Sequence, residues 1–449
     1  MFRTRRHSYW LILVVVAALV AGACSSRGGN ADSTTTTSGS STTGGSDSSS
    51  PCGPGDAKGA TAKGVTDDAI SIATIADIKT EAVGNLFQGN LDATKAFVAY
   101  CNSLGGINGR EVKLDFIDSK LFEYPTAMRQ ACDGNYLALV GSASALDGGD
   151  GPKIGVDCGL VDVPGFAADS THRSAENMVT PIPNPEGSVQ IGAQLLMKKK
   201  YPDSVKKAVY VYSNRAVTMN TGIQRSEAMK KNGWVFSAPY VTSDLPSVQD
   251  YQAIVSNMQS QGIEWVSFVG APAAQANLRK AMDIAGFHPQ VSDADASAYD
   301  PQIVSAAGAA ANGLNFSSVL FPLSQASENP ETKLYLDWLK KTNAVTADQP
   351  TALGAYSFSA GLLFASVVKG LGDDVTREAL LAGLKKVHSW TGEGLHAEQD
   401  PGANTSSECM AWMTIKDQDF VRVQPAPSAK DAYECSPDYV VKVTPPPAG

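Results

Sequence analysis

Residues 93–118, ATKAFVAYCNSLGGINGREVKLDFID, constrain the fold more than any other stretch of this chain. Leu91, Thr94, Val98 and Cys101 recur at helical spacing, with Ala93 and Phe97 beside them. Gly105 and Gly106 then stop the helix, because glycine accepts the left-handed conformation of a C-terminal cap. Residues 107–109 (ING) make a tight turn, and residues 111–117 (EVKLDFI) alternate polar and apolar as a strand does. An apolar run at 70–76 (ISIATIA) supplies a strand before the helix. Together they form one strand–helix–strand unit, the building block of a parallel sheet.

The same alternation continues. A helix is expected at 125–132, a buried strand at 136–140 (YLALV), a helix at 154–158 and a strand at 161–166. Proline density rises at 179–185 (VTPIPNP), which marks a crossover. Beyond it, helices are expected at 187–199, 219–231, 251–261 and 274–285, and strands at 208–212, 234–238 and 265–269. Residues 320–324 read as a second crossover, followed by helices at 331–341, 355–369 and 376–386. The middle one is apolar nearly all round and is expected to be buried. Residues 410–415 and 420–423 read as a hairpin around KDQD. The fold class is α/β, with two doubly wound layers.

The N-terminus addresses the compartment. Arg3, Arg5 and Arg6 precede an apolar core at 10–21, too short for a comfortable membrane span. Ala21, Gly22 and Ala23 then lead to Cys24, the pattern of a bacterial lipoprotein signal. Residues 1–23 are expected to be removed and Cys24 lipidated, placing the protein on the outer face of the cell membrane. Residues 24–64 are expected to form a disordered tether, since 25–51 are almost all Ser, Thr and Gly. Six cysteines remain: 52, 101, 132, 158, 409 and 435. An even number in an exported chain reads as disulfides, with Cys409 and Cys435 expected to pair across the hairpin region. Cys52 is the first choice for Cys101, and Cys132 and Cys158 complete the candidates.

A net charge of −9 and a pI near 5.1 argue against a nucleic-acid partner, which selects a basic face. No HExxH, GxSxG or P-loop motif is present, and the five histidines are scattered. Neither a catalytic centre, a metal nor a cofactor is expected. What remains is the rim of the sheet, where ligands bind at the carboxyl ends of parallel strands. One rim carries Ser142, Ala143 and Ser144, and another carries Ala167, Ala168, Asp169, Ser170 and Thr171. A third carries Gly270, Ala271 and Pro272, with Asp293 and Asp295 facing it.

Residues 102–110, Asn-Ser-Leu-Gly-Gly-Ile-Asn-Gly-Arg, and Val163-Pro164 before a Ser/Thr loop carry a family resemblance. The chain resembles the type I periplasmic solute-binding proteins of the leucine/isoleucine/valine-binding class, receptors of ABC importers. The resemblance covers about residues 66–437. It implies two α/β lobes joined by three crossovers, the third near 388–394. It places 65–182 and 318–389 in lobe 1 and 183–317 and 390–440 in lobe 2, with 441–449 as a tail. It implies a small polar ligand between the lobes, a permease partner and a monomer. In the amino-acid binders, lobe-1 hydroxyls hold the α-carboxylate and amine, which maps onto Ser142, Ser144, Ser170 and Thr171. A lobe-2 tyrosine and glutamate usually complete that site. Here the tyrosine place falls on Ala271 or Pro272, and the acidic place on Asp293 or Asp295, a departure from the amino-acid pattern. The resemblance also puts the GGINGR turn on the floor of lobe 1, away from the ligand. The alternatives are a ligand-sensing lipoprotein partnered with a membrane signalling protein, and a lipid-anchored hydrolase.

Overall fold

The computed structural model describes residues 50–78 and 87–446. The signal peptide and Cys24 lie outside the described residues. In lobe 1, β1 (Ala69–Ala76) runs parallel to β2 (Glu111–Asp118), from Ala69 opposite Glu111 to Ala76 opposite Asp118. Helix α1 (Gln88–Ser103) connects them, and the glycine stop works as the sequence implies. Gly106 has φ +79°, and a Cβ there would lie 2.0 Å from the Arg110 carbonyl oxygen. Asn102 exchanges two hydrogen bonds with the Val112 backbone, at 2.8 and 2.9 Å. Arg110 is fully buried and donates to the carbonyls of Thr66, Gly372 and Gly59. The turn is therefore a structural knot at the strand-start edge of the sheet.

The lobe continues through α2 (Tyr124–Asp133), β3 (Ala138–Val140), α3 (Gly151–Asp157), β4 (Val161–Val163) and the short α4 (Ser170–Arg173). The strand order is β2-β1-β3-β4, all parallel. The chain then passes to lobe 2 through the proline-rich segment.

Lobe 2 begins with β5 (Ser188–Gln190), which the helix expected at 187–199 had absorbed. Then come α5 (Gly192–Lys200), β6 (Ala208–Ser213), α6 (Ala216–Lys231), β7 (Tyr240–Thr242) and α7 (Val248–Ser260). They are followed by β8 (Trp265–Val269), α8 (Pro272–Ile284), β9 (Val291–Ala294), α9 (Pro301–Ala307) and β10 (Leu314–Ser318). The strand expected at 234–238 is a single bridge from Phe236 to Ala208, and the paired strand starts at Tyr240.

Helices α10 (Pro330–Lys341), α11 (Ala352–Leu371) and α12 (Arg377–Leu384) return to lobe 1. By length and composition α11 is apolar enough to cross a membrane, yet it is the buried centre of lobe 1. Gly361 admits the Phe97 ring, which a Cβ would meet at 2.3 Å. Asn90 of α1 donates to the Leu353 carbonyl and to Ser357, both at 2.8 Å.

The last segment returns to lobe 2 as β11 (Cys409–Lys416), β12 (Asp419–Gln424), β13 (Glu434–Cys435) and β14 (Val440–Lys442). The hairpin is the one expected; its turn residues Asp417 and Gln418 both have positive φ, 52° and 65°. The main order is β12-β11-β10-β9-β8-β6-β7, with β13 on β11. Three disulfides form: Cys52–Cys101, Cys132–Cys158 and Cys409–Cys435.

Three boundaries change. Residues 50–64, expected within the tether, belong to the fold: Cys52 is buried and disulfide-bonded, and Gly53 bridges Ile107. The expected tail at 441–449 begins inside β14, which pairs with β5. The third crossover lies at residues 395–399, where it runs beside the second: Phe321 N–H donates to Leu395 and Ala397 N–H to Val319.

Candidate functional site

The carboxyl ends of β3 and β4 in lobe 1, and of β6, β8 and β10 in lobe 2, face a cleft of about 330 Å³. Lobe 1 supplies an apolar wall of Phe87, Ala145, Phe166 and Ala168, with Leu353 and Tyr356 from α11. The Phe87 and Phe166 rings stack at 6.4 Å. Ile182, Pro183, Val319 and Gln399 come from the crossovers. Lobe 2 contributes one face of α6, namely Val217, Thr218, Thr221, Gln224 and Arg225. Residues three and four apart on a helix share a face, so the sequence spacing alone puts these side chains together.

Of the residues singled out from the sequence, Ala168, Gly270, Ala271 and Asp295 line the cleft. Ser142 does not: it is buried, its Oγ accepts the Ile75 N–H at 3.1 Å, and its carbonyl accepts Gly165 and Phe166. Ala143 is buried beside it and bridges Ala76. The Ser144 hydroxyl is buried and bonded to Ser119 Oγ at 2.7 Å. Asp169 caps α4, accepting from the Thr171 N–H and hydroxyl, so Asp169, Ser170 and Thr171 form a helix start outside the cleft wall. Asp293 is buried behind the lobe-2 wall and accepts from Trp265 Nε1, Ser267 Oγ and Gln194 Nε2.

Two buried acids organise the lobe-1 rim instead. Asp77 accepts from Ser119 Oγ, Leu121 N–H and Ala145 N–H at 2.5, 2.8 and 2.7 Å, drawing three strand ends together. Burial pushes its carboxyl above the usual range, although these donors oppose the shift. Asp147 accepts the N–H groups of Ala168 and Asp169 at 2.8 and 2.7 Å. It also meets His172 Nδ1 at 2.7 Å, while Nε2 of the same ring meets Asp162 at 2.9 Å. Burial opposes a charge on His172, but Asp147 and then Asp162 outweigh it and lift its pKa to about 10. The ring is therefore an imidazolium donating from both nitrogens. Both of its nitrogens face carboxylates, so it is not poised to activate a hydroxyl nucleophile.

Three arginines reach the cleft, none of them among the residues expected there from the sequence. Arg173 pairs with Glu186, although its Nε is buried without a hydrogen-bond partner among the described residues, and Arg215 Nε lies 2.7 Å from Asp244. Arg225 is buried, its Nε donates to the Tyr210 hydroxyl at 3.2 Å, and its Nη2 has no hydrogen-bond partner among the described residues. Ser317 Oγ and Gln399 Oε1, also on the cleft wall, are likewise buried without a partner. The signal that could have found this wall was the spacing of Thr218, Thr221 and Arg225 on a helix following a fully buried strand.

A search of curated proteins gives no significant match. Solved structures do match. A leucine-binding protein from Thermotoga maritima is 17% identical with a TM-score of 0.63, covering 79% of this chain and 97% of that one. A fatty acid ABC transporter substrate-binding protein from Thermomonospora curvata is 15% identical with a TM-score of 0.67, covering 85% and 97%. A solute-binding protein of R. palustris in complex with benzoate is 15% identical with a TM-score of 0.64, covering 79% and 95%. At these identities the likeness establishes the two-lobed fold. The periplasmic binding protein family matches residues 69–419, so the chain belongs to that family, one of extracytoplasmic solute receptors rather than enzymes.

Proposed function

We propose that this chain is a lipid-anchored receptor that captures a small solute with an apolar body and a polar end, and delivers it to an ABC importer. The observation that carries this reading is the cleft of about 330 Å³, walled by both lobes and crossed by the connecting strands. Its size, its largely apolar lining and its few convergent polar groups are those of a small-molecule site. A ligand touching both lobes binds their closed arrangement better than the open one, and a permease can read that difference. The anchor reading is supported by Cys24 and by the disulfide from Cys52 to Cys101. That disulfide lies at the strand-start edge of lobe 1, the edge away from the cleft.

The test is a thermal-shift screen of the chain from residue 50 onward against small solutes, together with mass spectrometry of co-purified material. A cognate solute at a hundred times its Kd stabilises by about 2.7 kcal/mol. If no solute raises the unfolding midpoint and none co-purifies, the reading fails. Cys24→Ser is expected to release the protein from the membrane fraction, and deletion of the partner permease to abolish uptake of the cognate solute.

A further inference from the structure

We propose that the solute is a carboxylate held by its acid end on lobe 2, at Arg225, with its apolar body against the aromatic wall of lobe 1. This rests on the receptor reading above and adds to it a substrate class and a binding polarity.

Charge is the first ground. Among the cleft arginines, Arg173 and Arg215 already have carboxylate partners. Arg225 has no ion pair among the described residues, only a neutral tyrosine hydroxyl. Its charge is balanced only at a distance, by Asp295 and Asp293, so a carboxylate in direct contact would add a charge-assisted hydrogen bond that it lacks. The two nearest acids in lobe 2 do not take the role. Asp293 is occupied by Trp265, Ser267 and Gln194, and Asp295 caps the following turn through Ser297. Both are felt electrostatically by Arg225 but neither is within ion-pair distance.

Hydrogen bonding is the second ground. On α6, Gln224 is engaged at both ends, with Gly187 N–H and Glu186, and the Thr218 hydroxyl is tied to Ser213. Thr221 and Arg225 remain, one turn apart on the cleft-facing side. A guanidinium presents a planar fork that matches a carboxylate, and Arg225, whose buried Nη2 has no hydrogen-bond partner among the described residues, lines this wall. In lobe 1 the Ser142 and Ser144 hydroxyls lie buried off the cleft, bonded to Ile75 N–H and Ser119 Oγ. What lobe 1 does offer is Phe87, Phe166, Leu353 and Tyr356.

The acid end alone does not decide whether the solute also bears an α-amine, so the test has arms for both. Octanoate, phenylacetate and benzoate, their primary amides, and L-leucine and L-phenylalanine are titrated calorimetrically into the receptor. At least one acid is expected to bind at least tenfold more tightly than its amide, a comparison that needs no variant. Arg225→Gln is expected to weaken that acid on the order of tenfold to a hundredfold and to leave the amide unchanged, with Arg225→Lys intermediate. Loss of the amino acids in Arg225→Gln would keep the polarity and add the amine; amino-acid binding that survives the substitution overturns it. Equal binding of acid and amide also overturns the proposal. A neutral co-purified solute would overturn it while leaving the receptor reading intact. Absence of any bound solute removes both.

Discussion

Beside the cleft, lobe 1 uses its acids on its own backbone and has its arginine, Arg173, paired with Glu186, whereas lobe 2 brings to the same gap a buried guanidinium with no carboxylate partner among the described residues. Asp77 and Asp147 draw in Ala145, Ala168, Asp169 and Leu121 through their N–H groups, so the rim loops are fixed before any ligand arrives. Lobe 1 also holds two of the three disulfides, Cys52–Cys101 and Cys132–Cys158. Lobe 2 carries Arg225, with Nη2 unsatisfied. The contrast separates two tasks that a two-lobed receptor can divide: one lobe is a preorganised apolar platform, and the other recognises the polar end.

The sharpest way to break this comparison is to disturb the matching acids. Asp147→Asn removes one of the two carboxylates holding the buried His172 and weakens the hold on Ala168 and Asp169. Unpairing a buried charge of this kind costs about 3–5 kcal/mol. Asp293→Asn exchanges an acid whose three donors are neutral and whose carboxyl burial already pushes toward its protonated form. That change is expected to cost only about 1–2 kcal/mol. Calorimetric unfolding of both variants decides: an Asp293→Asn loss as large as that of Asp147→Asn would show that lobe 1 is not the more tightly prebuilt half.

The disulfides offer a second, smaller contrast. Cys132–Cys158 in lobe 1 and Cys409–Cys435 in lobe 2 have the same separation of 26 residues. If each acts by restricting the unfolded chain, replacing either pair by alanine costs about 3 kcal/mol. Denaturation of the two double variants tests this; unequal losses would place part of the effect in the native packing of one lobe.

The sequence already displayed the local half of this architecture. The stop at Gly105 and Gly106, the strand–helix alternation and the turn at Asp417 and Gln418 are decided by neighbouring residues. The site was less legible because its logic is long-range. Ser142 and Ser144 read as ligand hydroxyls until the fold brings up Ile75 N–H and Ser119, 67 and 25 residues away. In the same way β5 is three residues long and pairs with β14, which lies at the far end of the chain. The α6 stripe had the right spacing, but a polar helix face reads equally well as solvated surface until the other lobe is placed opposite it.

Two buried histidines give the comparison a pH axis. His172 in lobe 1 is held charged, with its pKa raised to about 10, so its stabilisation is complete below about 6.5 and is lost as pH rises toward 10. His396 lies in the third crossover. Its Nε2 accepts from the Ser359 hydroxyl, which in turn accepts from Trp390 Nε1, and its Nδ1–H donates to the Ala397 carbonyl. Burial lowers its pKa to about 4, against the opposing Ala397 bond, so its contribution is present above about 6.5 and is lost as pH falls toward 4. Unfolding midpoints measured from pH 4 to 10 are expected to peak near neutrality. His172→Gln is expected to flatten the alkaline limb and His396→Gln the acid limb; either variant flattening the other limb would reverse the assignment.

The smallest effect sharpens the lobe-2 side. Asp295 lines the cleft and its charge is felt by Arg225, so it opposes an incoming anion that Arg225 attracts. Asp295→Asn keeps an oxygen to cap the Ser297 N–H, as asparagine caps about as well as aspartate, and removes only the charge. Across a partly hydrated gap such a charge is worth about 1 kcal/mol, or roughly a fivefold change in affinity. A simple carboxylate is therefore expected to bind about fivefold more tightly to Asp295→Asn, and its amide equally to both forms. An α-amino acid would respond in the opposite direction, since the same carboxylate is the nearest unpaired acid for an ammonium group. The sign of the change in a calorimetric titration thus reports whether lobe 2 recognises an acid alone or an acid with an amine beside it.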